Sequence, residues 1–212
     1  MKQRSEEWFT SRWGKFTGSQ ISKLMGSGKK KDEVFSATAY AYIKEKVAEI
    51  LTEGKSQENK KVDTWATRWG NDYEPIARKM YEGFASLMVD ECGFILHNDH
   101  FGASPDGLIG TDGVLEIKCP YTSEKHVDYL LCVTAEDLFK TCPEYYYQMQ
   151  AEMICTKRDW CDFVSYDPRC QPRSCLKVIR VEKNEAICEE ILLRVKLATE
   201  ILEDMLLKIN YF

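Results

Sequence analysis

The sequence is poor in the patterns that build thiolate or imidazole metal centres. It has three histidines, and its nine cysteines include no C-x-x-C pair. The gaps separating Cys155, Cys161, Cys170 and Cys175 match no common zinc or iron-sulfur ligand spacing. A chain of this length buries about 70% of its unfolded surface without staples, so the cysteines are read as reduced core thiols. His97 and His100 are assigned to a surface loop rather than a zinc pair. No run approaches the ~20 apolar residues of a membrane span. Met1 to Trp8, with Glu6 and Glu7, lacks the apolar centre of a secretory signal, so a cytoplasmic location without membrane attachment is expected. Positive charge is not in excess: 29 Lys and Arg face 34 acidic residues, a net charge of -5. That excludes the simplest signature of a nucleic-acid binder, but not a basic groove set in an acidic shell. No repeat and no long Pro-Gly-Ser linker divides the chain, so residues 1–212 are read as one domain.

What is present is 44% apolar and patterned for mixed structure. Helical spacing covers Gln20 to Met25, Ser36 to Leu51 with Ser36 as N-cap, and Thr64 to Phe84, which Pro75 should kink or restart. Trp65 and Trp69, one turn apart, are expected to be buried, with strand separation as the alternative role. Strands are predicted at Leu87 to Val89, Phe94 to Leu96 and Val114 to Cys119, with turns at Pro105-Asp106-Gly107 and Asp112-Gly113. A helix starts at Pro143 and runs to about Cys155. Strands follow at Asp162 to Tyr166 and Leu176 to Val181. Asn184 caps a long amphipathic helix whose apolar face carries Ile187, Ile191, Leu192, Val195, Ala198, Ile201 and Leu202. This order defines an α/β protein, a central mixed sheet flanked by helices.

The chemistry concentrates in Ser104-Pro105-Asp106-Gly107 and, ten residues after the aspartate, Glu116-Ile117-Lys118. Strand alternation sends Leu115, Ile117 and Cys119 to one side and Glu116 with Lys118 to the other. A hairpin through Gly110 to Gly113 then returns Asp106 close to Glu116. Two hard carboxylates suit Mg2+, with Mn2+ as an alternative, and leave positions for water and a phosphate oxygen. A second ion would stabilise the leaving oxygen. Lys118 would orient or deprotonate the attacking water and add positive charge. Metal-assisted phosphodiester hydrolysis follows. Taken singly, each piece also reads as an ordinary turn or an exposed ion pair.

Pro105, Asp106, Glu116 and Lys118 match the signature of the PD-(D/E)XK nucleases. Further blocks follow in order: Trp8 with Arg12-Trp13-Gly14 and Thr17-Gly18-Ser19, Trp69-Gly70 with Tyr73-Glu74 and Ala77-Arg78, Gln148-Met149-Gln150, and Tyr166-Asp167-Pro168-Arg169. From about residue 6 to residue 183 the chain resembles the λ-exonuclease-like, YqaJ-like viral recombinase family. The resemblance implies a restriction-endonuclease-like fold and a 5′ to 3′ exonuclease acting on double-stranded DNA ends. It further implies two Mg2+ ions, a homotrimeric ring and a single-strand annealing partner. Metal ligands would be Asp106, Glu116 and the Ile117 carbonyl, supported by Glu74, with Gln148 facing the site. Arg12 and Ser19 would bind the 5′ phosphate and Ser104 the scissile phosphate. Thr17 and Gln20 fit a capping box that places Ser19 in a first helical turn. Tyr145, Tyr146 and Tyr147 are read as core and groove wall, and Lys29-Lys30-Lys31 as a solvated run, with a loop gripping the DNA backbone as the alternative role. Three alternatives stay open: a structure-specific or restriction-type endonuclease on the same fold, a catalytically silent DNA-end binding protein, and a protein-interaction module using the C-terminal helix.

Overall fold

The computed structural model describes residues 3–28, 33–60 and 64–210; the Lys29-Lys30-Lys31 run lies outside them. Helix α1 (Glu6–Thr10) precedes strand β1 (Phe16–Thr17), a 3₁₀ helix (Gly18–Leu24), α2 (Ala37–Leu51) and α3 (Trp65–Ala85). Strands β2 (Val89–Asp90), β3 (Ile95–Asn98), β4 (Phe101–Ala103), β5 (Gly107–Ile109) and β6 (Gly113–Lys118) come next. They are followed by α4 (Ser123–Leu131), α5 (Ala135–Thr141), α6 (Pro143–Thr156), β7 (Trp160–Tyr166), β8 (Leu176–Glu182) and α7 (Glu185–Asn210).

Side-chain caps set several helix starts, because the first N–H groups of a helix have no partner within it. Ser36 accepts from the Ala39 N–H, Thr64 from Thr67, and Asn184 from Ile187 at 3.2 Å. Pro143 occupies the first turn of α6, where its missing N–H costs nothing. The capping box predicted at Thr17 does not form. Thr17 instead gives its N–H to the Tyr42 hydroxyl at 3.0 Å, and the segment after it winds as a 3₁₀ helix. Pro75 does not interrupt α3. It faces solvent and removes a single backbone bond, while Ala77 and Tyr81 of the same helix are anchored in the core.

One sheet was expected and two form. A five-stranded sheet runs β2-β5-β6-β7-β8, and a smaller one runs β1-β4-β3. The five-stranded sheet is covered on both faces. Leu115, Ile117 and Val164 pack with Ala77 and Tyr81 of α3, while Val114, Phe163 and Ile179 pack with Met149 and Met153 of α6. The third cluster joins Phe16 and Phe101 of the small sheet to Tyr42 and Ile43 of α2 and to Ile191, Val195 and Leu202 of α7. Trp69 packs against Tyr73, but Trp65 is 74% exposed, since α3 begins before it meets the sheet. All nine cysteines are free thiols. Among the described residues no helix is long and apolar enough to cross a membrane.

Candidate active site

The hairpin predicted from the turn residues forms, and it closes the site. β5 pairs antiparallel with β6, Gly107 opposite Leu115, through a turn in which Gly110 takes φ +51°, a region costly for any side chain. The Asp106 N–H donates to the Leu115 carbonyl at 3.0 Å, and Asp106 Oδ2 accepts from the Ile117 N–H at 2.6 Å. Asp106 is thereby fixed beside the β6 backbone. Glu116 and Lys118 project from β6 toward α6, but Glu116 is no exposed strand residue: it is 1% exposed. Its Oε1 accepts from Lys118 Nζ at 2.5 Å and from Gln148 Nε2 at 2.7 Å. Lys118 also lies 4.5 Å from the ring centre of Tyr145. Tyr145, Gln148 and Glu152 form one stripe of α6 laid along Lys118 and Glu116.

Charge in this pocket is unbalanced toward the negative. Burial, and then Glu116 and Glu74, push the Asp106 carboxyl well above the usual carboxylate range. Burial, then Glu116, does the same to Glu152. Burial would lower the Lys118 ammonium, but Glu116 and Asp106 outweigh it and keep it protonated. That state suits orienting water and stabilising negative charge better than abstracting a proton. The Oε2 atoms of Glu116 and Glu152 are buried with no donor among the described residues. Crowded carboxylates with an unpartnered oxygen are the donor chemistry that a hard divalent cation satisfies. Among the described residues no three His, Cys, Asp or Glu side chains are gathered into a protein-only metal cage. Asp106 beside the β6 backbone and the orphaned Oε2 of Glu116 are the oxygens that could hold such a cation, with a backbone carbonyl and water. Glu74 pairs with Arg4, and with Arg78 Nη2 at 3.3 Å. Arg78 Nη2 also donates to the Asp106 carbonyl at 3.0 Å.

The N-terminal segment reaches the same spot. β1 runs parallel to β4, Thr17 opposite Gly102, so the chain after it sits beside the strand that leads into Ser104. A Cβ on Gly18 would lie 3.0 Å from that of Ala103, which keeps this approach close. Trp8 Nε1 donates to Ser104 Oγ at 2.9 Å, and the Arg12 guanidinium stacks 4.0 Å over the Trp8 ring. Arg12, Trp8 and Ser104 thus form a continuous path to Asp106, while Ser19 stands exposed in the 3₁₀ helix. Burial draws the Arg12 pKa down to about 10 against the pull of Tyr42 and Glu49, leaving it charged at neutral pH. Behind it, Lys46 and Glu49 pair at 2.8 Å inside α2, and Glu49 Oε2 accepts from the Gly14 N–H at 2.8 Å. This buried pair holds the turn that carries Arg12.

Glu152, Lys46 and Glu49 escaped the sequence reading. Glu152 alone left a signal, as a carboxylate four residues after Gln148 on the same helix face.

The stretch after Lys118 is strapped down by Asp167 and Arg169. Arg169 Nε donates to Asp167 Oδ1 at 2.8 Å, Ser123 Oγ donates to Asp167 Oδ2 at 2.7 Å, and Arg169 Nη1 reaches the Tyr121 carbonyl at 2.9 Å. The guanidinium lies 4.4 Å over Trp69 of α3. Burial would raise the Asp167 carboxyl, but the bonds from Arg169 and Ser123 prevail and hold it to about 2. Its stabilisation is therefore fully present above the unfolded carboxylate value of about 3.9, and is lost as pH falls through about 2. Arg169→Ala is expected to melt below wild type at neutral pH, with a deficit that shrinks between about pH 4 and pH 2. Thermal melts across that range check it; a constant deficit would exclude the ion pair as the source.

The layered sheet and its Asp106, Glu116 and Lys118 hairpin define the PD-(D/E)XK fold class. Residues 7–159 match the YqaJ-like viral recombinase domain. The structure is similar to the alkaline exonuclease LHK-Exo of Laribacter hongkongensis, with a TM-score of 0.82 and 34% identity over 98% of this chain and 97% of that one. It shares its fold with a phage-related exonuclease of Haemophilus somnus, with a TM-score of 0.71 and 17% identity over 92% and 96% of the two chains. An uncharacterized protein of Acanthamoeba polyphaga mimivirus is 28% identical over 178 residues, 77% of this chain; the chain spans 29% of that protein's length. The chain belongs to the YqaJ-like viral recombinase family.

Proposed function

We propose that this protein is a divalent-metal-dependent deoxyribonuclease that digests one strand of linear duplex DNA from its 5′ end, releasing 5′ mononucleotides. The convergence of Asp106, Glu116 and Lys118 on one hairpin carries this reading. Asp106 and Glu116, with the Ile117 carbonyl, would hold Mg2+ or Mn2+, two ions when DNA is bound. Such a cation lowers the pKa of a bound water and offsets charge on the scissile phosphate. Lys118 would orient the attacking water and add positive charge beside the phosphate, with Gln148 fixing Glu116 from behind and Glu74 acting through Arg78. Ser104, joined to Arg12 through Trp8, places the strand terminus against the metal centre, and Arg12 with Ser19 takes the 5′ phosphate. Support for the product comes from the relative LHK-Exo, which has been crystallised with dAMP, a nucleoside monophosphate.

The remaining 3′ tail is the form of DNA that a single-strand annealing protein takes up, and we place such a protein as the partner. A homotrimeric ring around DNA is part of the same reading. Association of copies, though not their number, is supported by the exposed apolar Ile76, Met80 and Phe84 of α3, Phe84 by 70%, and by Met88 beyond it, by 81%.

Digestion of end-labelled linear duplex with Mg2+ should release mononucleotides from the 5′ end and stop when the metal is chelated. A mass measurement in solution should find three copies. Cutting of closed circles without nucleotide release from linear duplex would replace this reading by an endonuclease. Binding of ends without cleavage under any divalent metal would replace it by a silent end-binding protein.

A further inference from the structure

Glu152 lies on α6 inside the pocket of Asp106 and Glu116 and has no role in the reaction described above. It is 1% exposed. The side-chain amide of Gln148 carries two protons, and both are engaged by carboxylates: Nε2 donates to Glu116 Oε1 at 2.7 Å and to Glu152 Oε1 at 2.8 Å. An amide turned over about its last bond has the same shape but presents an oxygen where the nitrogen stood. Turning it over would set oxygen against oxygen at Glu116 Oε1 and give up the bond to Glu152 Oε1, so the second acceptor reinforces the first hydrogen bond. Glu116 Oε1 is then engaged by both Gln148 and Lys118, and Oε2 is the oxygen left without a donor among the described residues.

We propose that Glu152 is a positioning residue that fixes the Gln148 amide nitrogen-inward and so holds Glu116 with Oε2 presented to a divalent cation. The inference deepens the proposed metal-dependent reading and rests on it. Groups that orient metal ligands in this way typically change metal affinity by about 10- to 100-fold when removed.

The test is Mn2+ binding by the full chain without DNA, read from the paramagnetic resonance of free Mn2+. Glu152→Met keeps the length but removes the acceptor, and should weaken Mn2+ binding by about 10- to 100-fold. Glu152→Gln keeps a carbonyl oxygen facing Gln148 and should stay within about threefold of wild type. Because Glu152 acts through Gln148, the double variant Gln148→Met with Glu152→Met should bind no more weakly than Gln148→Met alone. If Glu152→Met folds poorly, Glu152→Ala replaces it, and the comparison of Glu152→Gln with wild type stands by itself. Wild-type affinity in Glu152→Met, a loss in Glu152→Gln as large as in Glu152→Met, or additive losses in the double variant would each overturn the inference. No Mn2+ binding by wild type would overturn the metal reading itself, a separate outcome.

Discussion

Asp106→Asn is expected to reduce metal-dependent cleavage by about 10²- to 10³-fold and, in the same protein, to raise the melting temperature without metal. The two effects have one cause. Burial, with Glu116 and Glu74 behind it, pushes the Asp106 carboxyl up. A carboxylate whose folded pKa is raised penalises the fold as pH climbs from the unfolded value through the folded one, and the penalty persists above it. Asparagine removes the charge yet keeps an oxygen for the Ile117 N–H, now met at 2.6 Å. Wild type should gain stability on adding Mn2+ and the variant little or none. Calorimetry with and without metal, beside an end-labelled digestion, reads both effects. A destabilised variant that still cuts would remove Asp106 from the centre of the reaction.

Arg12→Ala should lower kcat/KM on 5′-phosphorylated duplex by about 10- to 100-fold, the weight of one lost charge-assisted contact. Cleavage of 5′-hydroxyl ends should change far less. The guanidinium is charged, held over Trp8 and linked through it to Ser104, so its loss would remove both the proposed anion contact and a packing partner. Arg12→Gln, which keeps most of the stem, separates the two: it should lose the phosphate preference and retain wild-type melting. Equal losses on both kinds of end would make Arg12 a structural residue and leave the phosphate pocket without its principal cation.

The hairpin was the most legible part of the fold, because glycines and a proline fix its turns locally and the two-residue period of a strand fixes its faces. Asp106, Glu116 and Lys118 come together as that reading requires. The cap at Ser36, the start at Pro143 and the apolar face of α7 were equally local, and all three formed. Thr17 failed because a capping box competes with other partners for the same backbone, and here the Tyr42 hydroxyl takes the Thr17 N–H. α4 and α5 were missed since, at nine and seven residues, they are too short for helical periodicity to accumulate. Trp65 was expected inside and stands outside, because an aromatic residue says nothing of how far its helix projects past the sheet.

Alternation along β6 says that Glu116 and Lys118 share a face; it does not say what covers that face. Burial of Glu116 beneath α6 with its bond from Gln148, and the path from Arg12 through Trp8 to Ser104, join residues 32 and 96 positions apart, Glu116 with Gln148 and Trp8 with Ser104. Chain order determined the chemical groups and their local geometry, through turns and periods that act over a few residues. Packing of α6 and the N-terminal segment onto the sheet decided which groups lose water and which charges meet, because desolvation and electrostatics depend on distance in space, whatever the separation in sequence.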